Sequence, residues 1–235
     1  MVDIDEARRR YAVTDRTVPH LRVNFVSSLD GAATHDGLSG GLGDDADRLV
    51  FDTLRMLTDL ILVGAGTVRA EGYGGIRFTD DAVAWRVGQG LPEHPPVAIV
   101  SGRLDLDPAS AVFTRAATRP IVVTHAQAPA ERRAALAAVA DVLVCGEASV
   151  DHALMLAALT ERGYPQVLCE GGPSLFGALL AADRVDELCL TLAPLLESGR
   201  ASRIATAAEA TSRRMRLVHA LPAGDTLLLR YQRAG

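Results

Sequence analysis

The feature that most constrains the fold is a regular order of short apolar strands and longer helical segments between residues 96 and 185. Apolar runs typical of buried strands are "PVAIVS", "PIVVTH", "DVLVCG" and "QVLCEGG". Helical segments follow the last three: "APAERRAALAAVA", "DHALMLAALTERG" and "SLFGALLAADRV". Strands joined by helices of this length are typical of right-handed crossovers between parallel strands. The sequence therefore predicts an α/β fold with a mainly parallel sheet.

The two ends of the chain extend this pattern. Before it we predict a strand followed by an Asp-Gly turn over residues 21–31, a helix over 44–59 and a strand over 60–66. Residues 69–96 contain eight glycines or prolines, so we predict a long loop with one turn of helix near "DAVAWRV". After it, "ELCLTLAPLL", "RMRLVHALPAG" and "DTLLLRYQ" predict strands. The last two would form an antiparallel hairpin around "LPAGD".

The composition excludes several classes of protein. The formal net charge of −5 gives no basic surface for nucleic acid. The N-terminal stretch "MVDIDEARRRYAV" has no apolar signal-peptide core, and nowhere do about 18 apolar residues run uninterrupted, so we expect a cytoplasmic protein. The histidines occur singly and the three cysteines lie in apolar runs without C-x-x-C spacing, so no metal site is expected. We predict one domain over residues 20–235 with an N-terminal extension over 1–19.

The stretch "EGGPSLFGALL" (170–180) passes from a strand through two glycines into a helix. Gly171 and Gly172 permit close backbone approach, and Pro173 suits the first position of a helix. Ser174 adds a donor at a helix N-terminus, which is a favourable place for phosphate. The alternative is an ordinary strand-to-helix turn in which Glu170 is a solvated or capping carboxylate.

A second turn, "GAGTV" (64–68), also follows an apolar strand. It is a poor dinucleotide fingerprint because Arg69 stands where the third glycine belongs. Gly64, Gly66 and Thr67 still offer backbone amides and a hydroxyl to an anion. The alternative is a tight turn capped by Thr67. Two such turns in one sheet favour a single extended ligand with more than one anionic group.

Further polar residues stand near predicted strand and helix ends. Arg55 would lie on the first long helix near the carboxyl edge of the sheet, or be a solvated side chain. Ser101 and Arg103 follow a strand and would suit the 2′-phosphate of NADP. The glycine-dense stretch "SGGLGDD" (39–45) is either a flexible loop or a lid.

These motifs, together with "SLDG" (28–31), "VDELCLTLAP" (185–194) and the closing strand pair, resemble the reductase domain of bacterial riboflavin biosynthesis proteins. The resemblance is to stand-alone, actinobacterial-type members and covers roughly residues 20 to 233. It implies a three-layer, dihydrofolate-reductase-like α/β fold, with a mostly parallel central sheet and a C-terminal antiparallel hairpin. It also implies NADPH as cofactor, a homodimer, and reduction of the ribosyl group of a phosphorylated aminouracil.

The resemblance also implies roles for particular residues. Asp30 and Glu170 would be catalytic, and Glu170 would contact the heterocycle, although Asp30 would otherwise only form an Asp-Gly turn. Arg55 would bind the substrate phosphate, and Ser39 and Arg77 would also bind substrate. The residues at cofactor positions are Val26, Gly64, Gly66, Thr67, Glu71, Ser101, Gly171, Gly172, Pro173, Ser174, Leu175, Phe176, Gly177 and Ala178.

The sequence departs from the family pattern mainly in the substrate half. Ala32 replaces a basic residue, and Gly41 and Leu42 stand where a tryptophan is expected. An acidic-acidic-proline run becomes Glu71-Gly72-Tyr73, and Arg77 matches an expected arginine only loosely. We therefore expect an NADPH-dependent reductase, best described as 5-amino-6-(5-phosphoribosylamino)uracil reductase. A dihydrofolate or pterin reductase and a non-catalytic NADPH-binding dimer are the alternatives.

Overall fold

A computed structural model describes residues 2–234 of the 235-residue chain. These residues form two compact units, the first of residues 2–57 with 168–234 and the second of Thr58–Val167. The helices are α1 (Ile4–Tyr11), α2 (Asp45–Leu57), α3 (Ala65–Ala70), α4 (Asp80–Gly88), α5 (Ala111–Thr114), α6 (Ala130–Ala137), α7 (His152–Glu161) and α8 (Pro173–Ala181). The strands are β1 (His20–Ser27), β2 (Leu60–Gly64), β3 (Val97–Val100), β4 (Ile121–Thr124), β5 (Asp141–Val144), β6 (Gln166–Cys169), β7 (Glu187–Leu192), β8 (Met215–Ala223) and β9 (Thr226–Arg233).

The first unit combines parallel and antiparallel strands in the order β1-β7-β9-β8. β1 and β7 are parallel, whereas β9 pairs antiparallel with both β7 and β8. The predicted C-terminal hairpin is therefore confirmed. Helix α2 begins where the sequence predicted it, because the Asp44 carboxylate accepts the N–H groups of Ala46 and Asp47.

The second unit contains parallel strands in the order β5-β4-β3-β2, as the strand-helix alternation predicts. β6 begins beside Asp59, whose carboxylate accepts the N–H of Gln166 at 2.9 Å. Its last two residues belong to the first unit. The strands of the second unit pack around a buried aliphatic core that includes Ile61, Ile99 and Val122. Such continuous apolar strands are typical of parallel sheets covered on both faces.

Two predictions about residues 60–96 are wrong. The strand predicted over 60–66 ends at Gly64, and α3 begins at the next residue. The loop predicted over 69–96 contains the nine-residue helix α4, which is longer than one turn. The helix begins because the Thr79 hydroxyl accepts the N–H of Ala82 and two aspartates occupy the first turn. Arg86 on α4 is fully buried and donates to the backbone carbonyl of Thr58 at 2.8 Å.

Two further helices, α1 and α5, were not predicted from the sequence. α1 is capped by Asp3, whose carboxylate accepts the N–H of Glu6 at 2.8 Å, and it buries Ala7 and Tyr11 in the first unit. The division into a 1–19 extension and one domain stays a prediction. Within residues 2–234, no helix is both long enough and apolar enough to cross a membrane.

Candidate active site

The junction between β6 and α8 is a turn with no side chains at its centre. Gly171 has φ of +99°, a left-handed conformation that favours glycine, and the peptide bond to Gly172 is cis. A Cβ atom on Gly171 would lie 3.3 Å from the ring of Phe25 on β1. Glycine at position 171 therefore lets the backbone approach the Phe25 ring closely.

The N-terminus of α8 has no side-chain cap. Its N-cap residue is Gly172, Pro173 occupies the first turn, and the first helical hydrogen bond runs from the Phe176 N–H to the Gly172 carbonyl at 3.0 Å. The N–H groups of Ser174 and Leu175 precede that bond and have no helical acceptor by position. Ser174 is exposed. This terminus therefore offers donors and a positive dipole end to an anion.

The next residues of α8 face the protein interior. Leu175 and Phe176 are buried, and the Phe176 ring stacks on Phe25 with centroids 5.1 Å apart. A Cβ atom on Gly177 would lie only 2.0 Å from the carbonyl oxygen of Thr206. The side chains of Leu175 and Phe176 are therefore held in the packed interior, and Gly177 could contact a ligand only through its backbone. The predicted cofactor contacts of these three residues, and of half-buried Ala178, stay predictions.

Arg55 and Glu170, both predicted to face the substrate, form an ion pair with each other. Arg55 Nε lies 2.6 Å from Glu170 Oε1, and Arg55 Nη2 lies 2.7 Å from Oε2. The Glu170 side chain is 2% exposed and the Arg55 side chain 17% exposed. The guanidinium also lies over the ring of Phe51, 4.0 Å from its centroid. Arg55 is therefore the more accessible member of a bidentate pair, and Glu170 orients it.

Burial controls the protonation of the groups next to this pair. Burial raises the pKa of Asp52, the nearby Arg55 opposes that shift, and the Glu170 carboxylate adds to it. Burial also raises the pKa of Cys169 to about 12, with the Glu170 carboxylate contributing, against a hydrogen bond from the Gly171 backbone. Cys169 is therefore a neutral thiol at ordinary pH. Among residues 2–234, no three His, Cys, Asp or Glu side chains group as a metal site.

Asp30 follows the carboxyl end of β1 and is fully engaged in hydrogen bonds. Its Oδ1 accepts the Ser28 hydroxyl at 2.5 Å and the Glu197 N–H at 3.1 Å, and its Oδ2 accepts the Ser198 N–H at 2.7 Å. These bonds lower the pKa of Asp30 to about 2. The carboxylate is therefore charged, and its predicted contact with substrate stays a prediction.

The departures from the family pattern have visible consequences in the first unit. Ala32 is buried, so a basic side chain at this position would have to displace its surroundings. Leu42 is also buried, and a Cβ atom on Gly41 would lie 3.1 Å from the His35 ring. The predicted site residues Val26 and Ser39 are half-buried, Val26 within β1 and Ser39 at the start of a short 3₁₀ turn.

In the second unit, the "GAGTV" stretch forms the start of α3. Gly64 is the N-cap without a side-chain hydrogen bond, and Gly66 is exposed. The alternative in which Thr67 caps a turn is wrong, because Thr67 is the third helical residue and its carbonyl accepts the Glu71 N–H at 2.9 Å. Arg77 is exposed in the irregular stretch before α4.

Three arginines lie in or contact the segment that follows β3, and the sequence predicted a role for only one of them, Arg103. Ser101 is buried, with its N–H bonded to the Val123 carbonyl at 2.9 Å, while Arg103 is exposed. Arg132 donates to the Arg103 carbonyl at 3.1 Å, and Arg69 donates to the Asp105 carbonyl at 2.8 Å. Two guanidinium groups thus contact the backbone of the segment that carries the exposed Arg103, and Arg132 also lies 3.9 Å from the Asp105 carboxylate.

Comparison with known proteins identifies relatives over most of the chain. The model of the RibD C-terminal domain family matches residues 19–229. A 2,5-diamino-6-ribosylamino-4(3H)-pyrimidinone 5′-phosphate reductase from Methanothermobacter thermautotrophicus is 31% identical over 219 residues, which is 91% of this chain and 97% of that protein. Riboflavin biosynthesis protein RibD from Mycobacterium tuberculosis is 31% identical over 184 residues, 77% of this chain but 44% of that protein. The chain thus matches less than half the length of this second relative.

Solved structures agree with the fold. A pyrimidine reductase-like protein from Corynebacterium diphtheriae has a TM-score of 0.88 at 26% identity, with both chains covered completely. Dihydrofolate reductase from Enterococcus faecalis has a TM-score of 0.52 at 14% identity, covering 92% of this chain and 97% of that chain, and shows the fold alone. The predicted dihydrofolate-reductase-like fold is confirmed, and a reductase with this fold implies a nicotinamide cofactor. The chain belongs to the RibD C-terminal domain family.

Proposed function

We propose that this chain is an NADPH-dependent reductase of a phosphorylated aminopyrimidine, best described as 5-amino-6-(5-phosphoribosylamino)uracil reductase of riboflavin biosynthesis. The observation that carries the proposal is the junction at residues 170–174. There, a buried carboxylate held by Arg55 is followed directly by the uncapped N-terminus of α8. The names of the relatives support the same reaction class.

The α8 terminus fits a coenzyme phosphate. The amides of Ser174 and Leu175 and the positive end of the helix dipole would stabilise the negative charge, and Gly172 adds no side chain in front of them. A bound reduced nicotinamide supplies the hydride, and the residues here supply position and charge. A single coenzyme that also contacts the "GAGTV" turn stays a prediction from the sequence.

The Arg55–Glu170 pair would hold the substrate. Arg55 is the more exposed partner, and its planar guanidinium suits a phosphate. Glu170 would fix the orientation of Arg55, because both carboxylate oxygens accept from it. Direct contact of Glu170 with the heterocycle, and substrate contacts of Ser39 and Arg77, are further parts of the proposal.

Preference for NADPH over NADH is proposed to depend on Arg103. Its side chain is exposed directly after β3, and Arg69 and Arg132 donate to backbone carbonyls of the same segment. Positive charge at this position would favour the additional 2′-phosphate of NADPH. Ser101 would contribute through its hydroxyl, although most of its surface is buried.

The decisive experiment follows NADPH absorbance with three candidate substrates. These are the aminouracil phosphate, its 2,5-diaminopyrimidinone counterpart and dihydrofolate. We expect turnover of one of the two pyrimidine phosphates and slower or no turnover of dihydrofolate. No oxidation with any of them, at enzyme concentrations where a control reductase is active, would remove the proposal.

A second candidate is a non-catalytic NADPH-binding dimer. Buried Ala32 and the small space for a side chain at Gly41 favour it, because the substrate half lacks residues that the family pattern expects. Calorimetry would then show NADPH binding without hydride transfer to either pyrimidine. A pterin reductase on the same fold would instead turn over dihydrofolate faster than the pyrimidines.

We further propose a cytoplasmic homodimer. β8 is the edge strand of the first unit, and its residues Leu217 and Val218 are 48% and 38% exposed. An exposed strand edge with apolar side chains is a surface that proteins usually cover. Light scattering of the purified protein would give the oligomeric state, and a monomer at working concentrations would contradict the dimer.

A further inference from the structure

The segment between β7 and β8 lies along two parts of the first unit that belong to the candidate site. We call residues 193–206 the strap; it contains neither helix nor strand. The Leu29 N–H donates to the Leu195 carbonyl at 2.8 Å, and the Ala33 N–H donates to the Ser202 carbonyl at 2.8 Å. The strap therefore runs beside the loop that follows β1.

The far end of the strap lies on the first turns of α8. The Thr206 N–H donates to the Pro173 carbonyl at 3.0 Å. The Thr206 carbonyl lies so close to Gly177 that a Cβ atom there would be 2.0 Å from its oxygen. The strap thus connects the loop after β1 with the helix whose N-terminus is proposed to bind phosphate.

Two side chains of the loop after β1 bind the strap at Glu197 and Ser198, far from its contact with α8. The Asp30 carboxylate accepts the backbone N–H groups of Glu197 and Ser198, at 3.1 and 2.7 Å. The Glu197 carboxylate in turn lies 2.7 Å from Nδ1 of His35. His35 and Asp30 stand on the same loop after β1, so both contacts join one loop to one end of the strap.

The direction of the Asp30 hydrogen bonds shows what this carboxylate does in the present conformation. Both oxygens accept from the strap, and the Ser28 hydroxyl holds Oδ1 in place at 2.5 Å. A carboxylate that accepts two consecutive backbone N–H groups fixes a turn in the way that an N-cap residue fixes a helix start. No comparable pair of side-chain acceptors is described for the rest of the strap within residues 2–234.

We propose that Asp30 is a positioning residue, which acts by fastening the strap beside the α8 N-terminus so that the strap forms one wall of the site. The inference rests on the proposed function for the identity of the ligands, which are phosphorylated compounds. The strap carries two exposed cations, Arg200 and Arg203, and Arg203 stands three residues before the contact with Pro173. With Glu197 as its one carboxylate, the strap carries a net positive charge, which would favour anionic ligands beside it.

A loosened strap has two measurable consequences. Its ordering must then accompany ligand binding, so KM should rise while kcat changes little. Its backbone should also become more accessible to a protease, because cleavage follows the population of the opened state. Arg200 and Arg203 make the strap a trypsin substrate, and the cut sites can be identified by mass spectrometry.

The experiment compares three variants in native trypsin digestion and in steady-state kinetics. Asp30→Asn removes the charged acceptor, and His35→Ala removes the contact to Glu197 without altering Asp30. Asp15→Asn is the matched control, because Asp15 is an exposed carboxylate that accepts the Thr17 N–H and hydroxyl at 2.9 and 2.7 Å outside the strap.

We expect Asp30→Asn to speed cleavage after Arg200 and Arg203 by about 2- to 10-fold, the range for one net hydrogen bond. His35→Ala should act in the same direction with a smaller effect, and Asp15→Asn should not change the cleavage rate. KM for NADPH or for the pyrimidine phosphate should rise in the first two variants.

Unchanged strap cleavage in Asp30→Asn, combined with a fall in kcat at constant KM, would overturn the proposal and place Asp30 at the reacting atoms. If Asp30→Asn does not fold, His35→Ala decides, since normal cleavage and normal KM in that variant would also overturn it. A wild-type protein inactive with every substrate would remove the proposed function alone, because the cleavage measurements need no turnover.

Discussion

Breaking the Arg55–Glu170 pair should destabilise the protein far more than breaking an exposed pair. Replacing Arg55 by Met leaves the Glu170 carboxylate, which is 2% exposed, without the two donors that it now accepts at 2.6 and 2.7 Å. Removing one partner of a buried pair costs about 3 to 5 kcal/mol, because the remaining charge loses its opposite charge while it stays desolvated. At about 2 to 4 °C per kcal/mol for a chain of this size, Tm should fall by roughly 6 to 20 °C.

The double-mutant cycle separates the charge effect from lost packing. Glu170→Gln keeps the shape of the side chain and should cost about 1 to 3 kcal/mol. The double variant, Arg55→Met with Glu170→Gln, should be more stable than the sum of the single effects predicts, because both opposite charges are removed together. Urea unfolding monitored by circular dichroism gives the four free energies of unfolding, of the wild type and the three variants.

An exposed pair supplies the control for this cycle. Arg10 lies 3.3 Å from Glu6 on α1, with side chains 49% and 32% exposed, so Arg10→Met should cost about 0.5 kcal/mol or less. If Arg55→Met were no more destabilising than Arg10→Met, the two buried charges would not be desolvated together. That result would contradict the claim that Glu170 orients Arg55, and it would remove the support for the proposed contact between Arg55 and the substrate.

Three further predictions concern the cofactor, acid stability and the packing of α8. Arg103→Ala should weaken NADPH binding by about tenfold while leaving NADH binding unchanged, as measured by calorimetry with Arg115→Ala as the exposed control. Burial and the nearby Arg230 and Arg10 lower the pKa of His219 from 6.5 to about 4, so the folded state disfavours the proton. The neutral His219 therefore stabilises the fold fully above pH 6.5, and this stability is lost as the pH falls toward 4. In His219→Gln, Tm should fall less steeply over that pH window than in the wild type. Gly177→Ala should lower Tm despite a gain in helix propensity of about 1 kcal/mol, because the new methyl group meets Thr206, whereas Gly88→Ala on α4, with open space around it, should not lower Tm.

Local patterns predicted the elements whose sequences carry a clear period or a terminal signal. The parallel strands of the second unit and the C-terminal hairpin followed from apolar runs and turn residues, which act over a few neighbours. Helix α4 was missed because the surrounding glycines and prolines obscured a start signal at Thr79. The N-terminal helix α1 was missed because its eight residues are mostly charged and include few apolar positions, although Asp3 caps its start.

The sequence by itself also determined which residues stand at the junction of β6 and α8. A glycine pair permits a tight turn, and Pro173 favours the start of a helix at the next position. Only the tertiary structure decided the partners of the charged groups. Arg55 and Glu170 are 115 positions apart, and Asp30 is 167 positions from the Glu197 N–H that it accepts. A sequence pattern records what each side chain can bind, but which of the available partners it reaches depends on how distant segments pack.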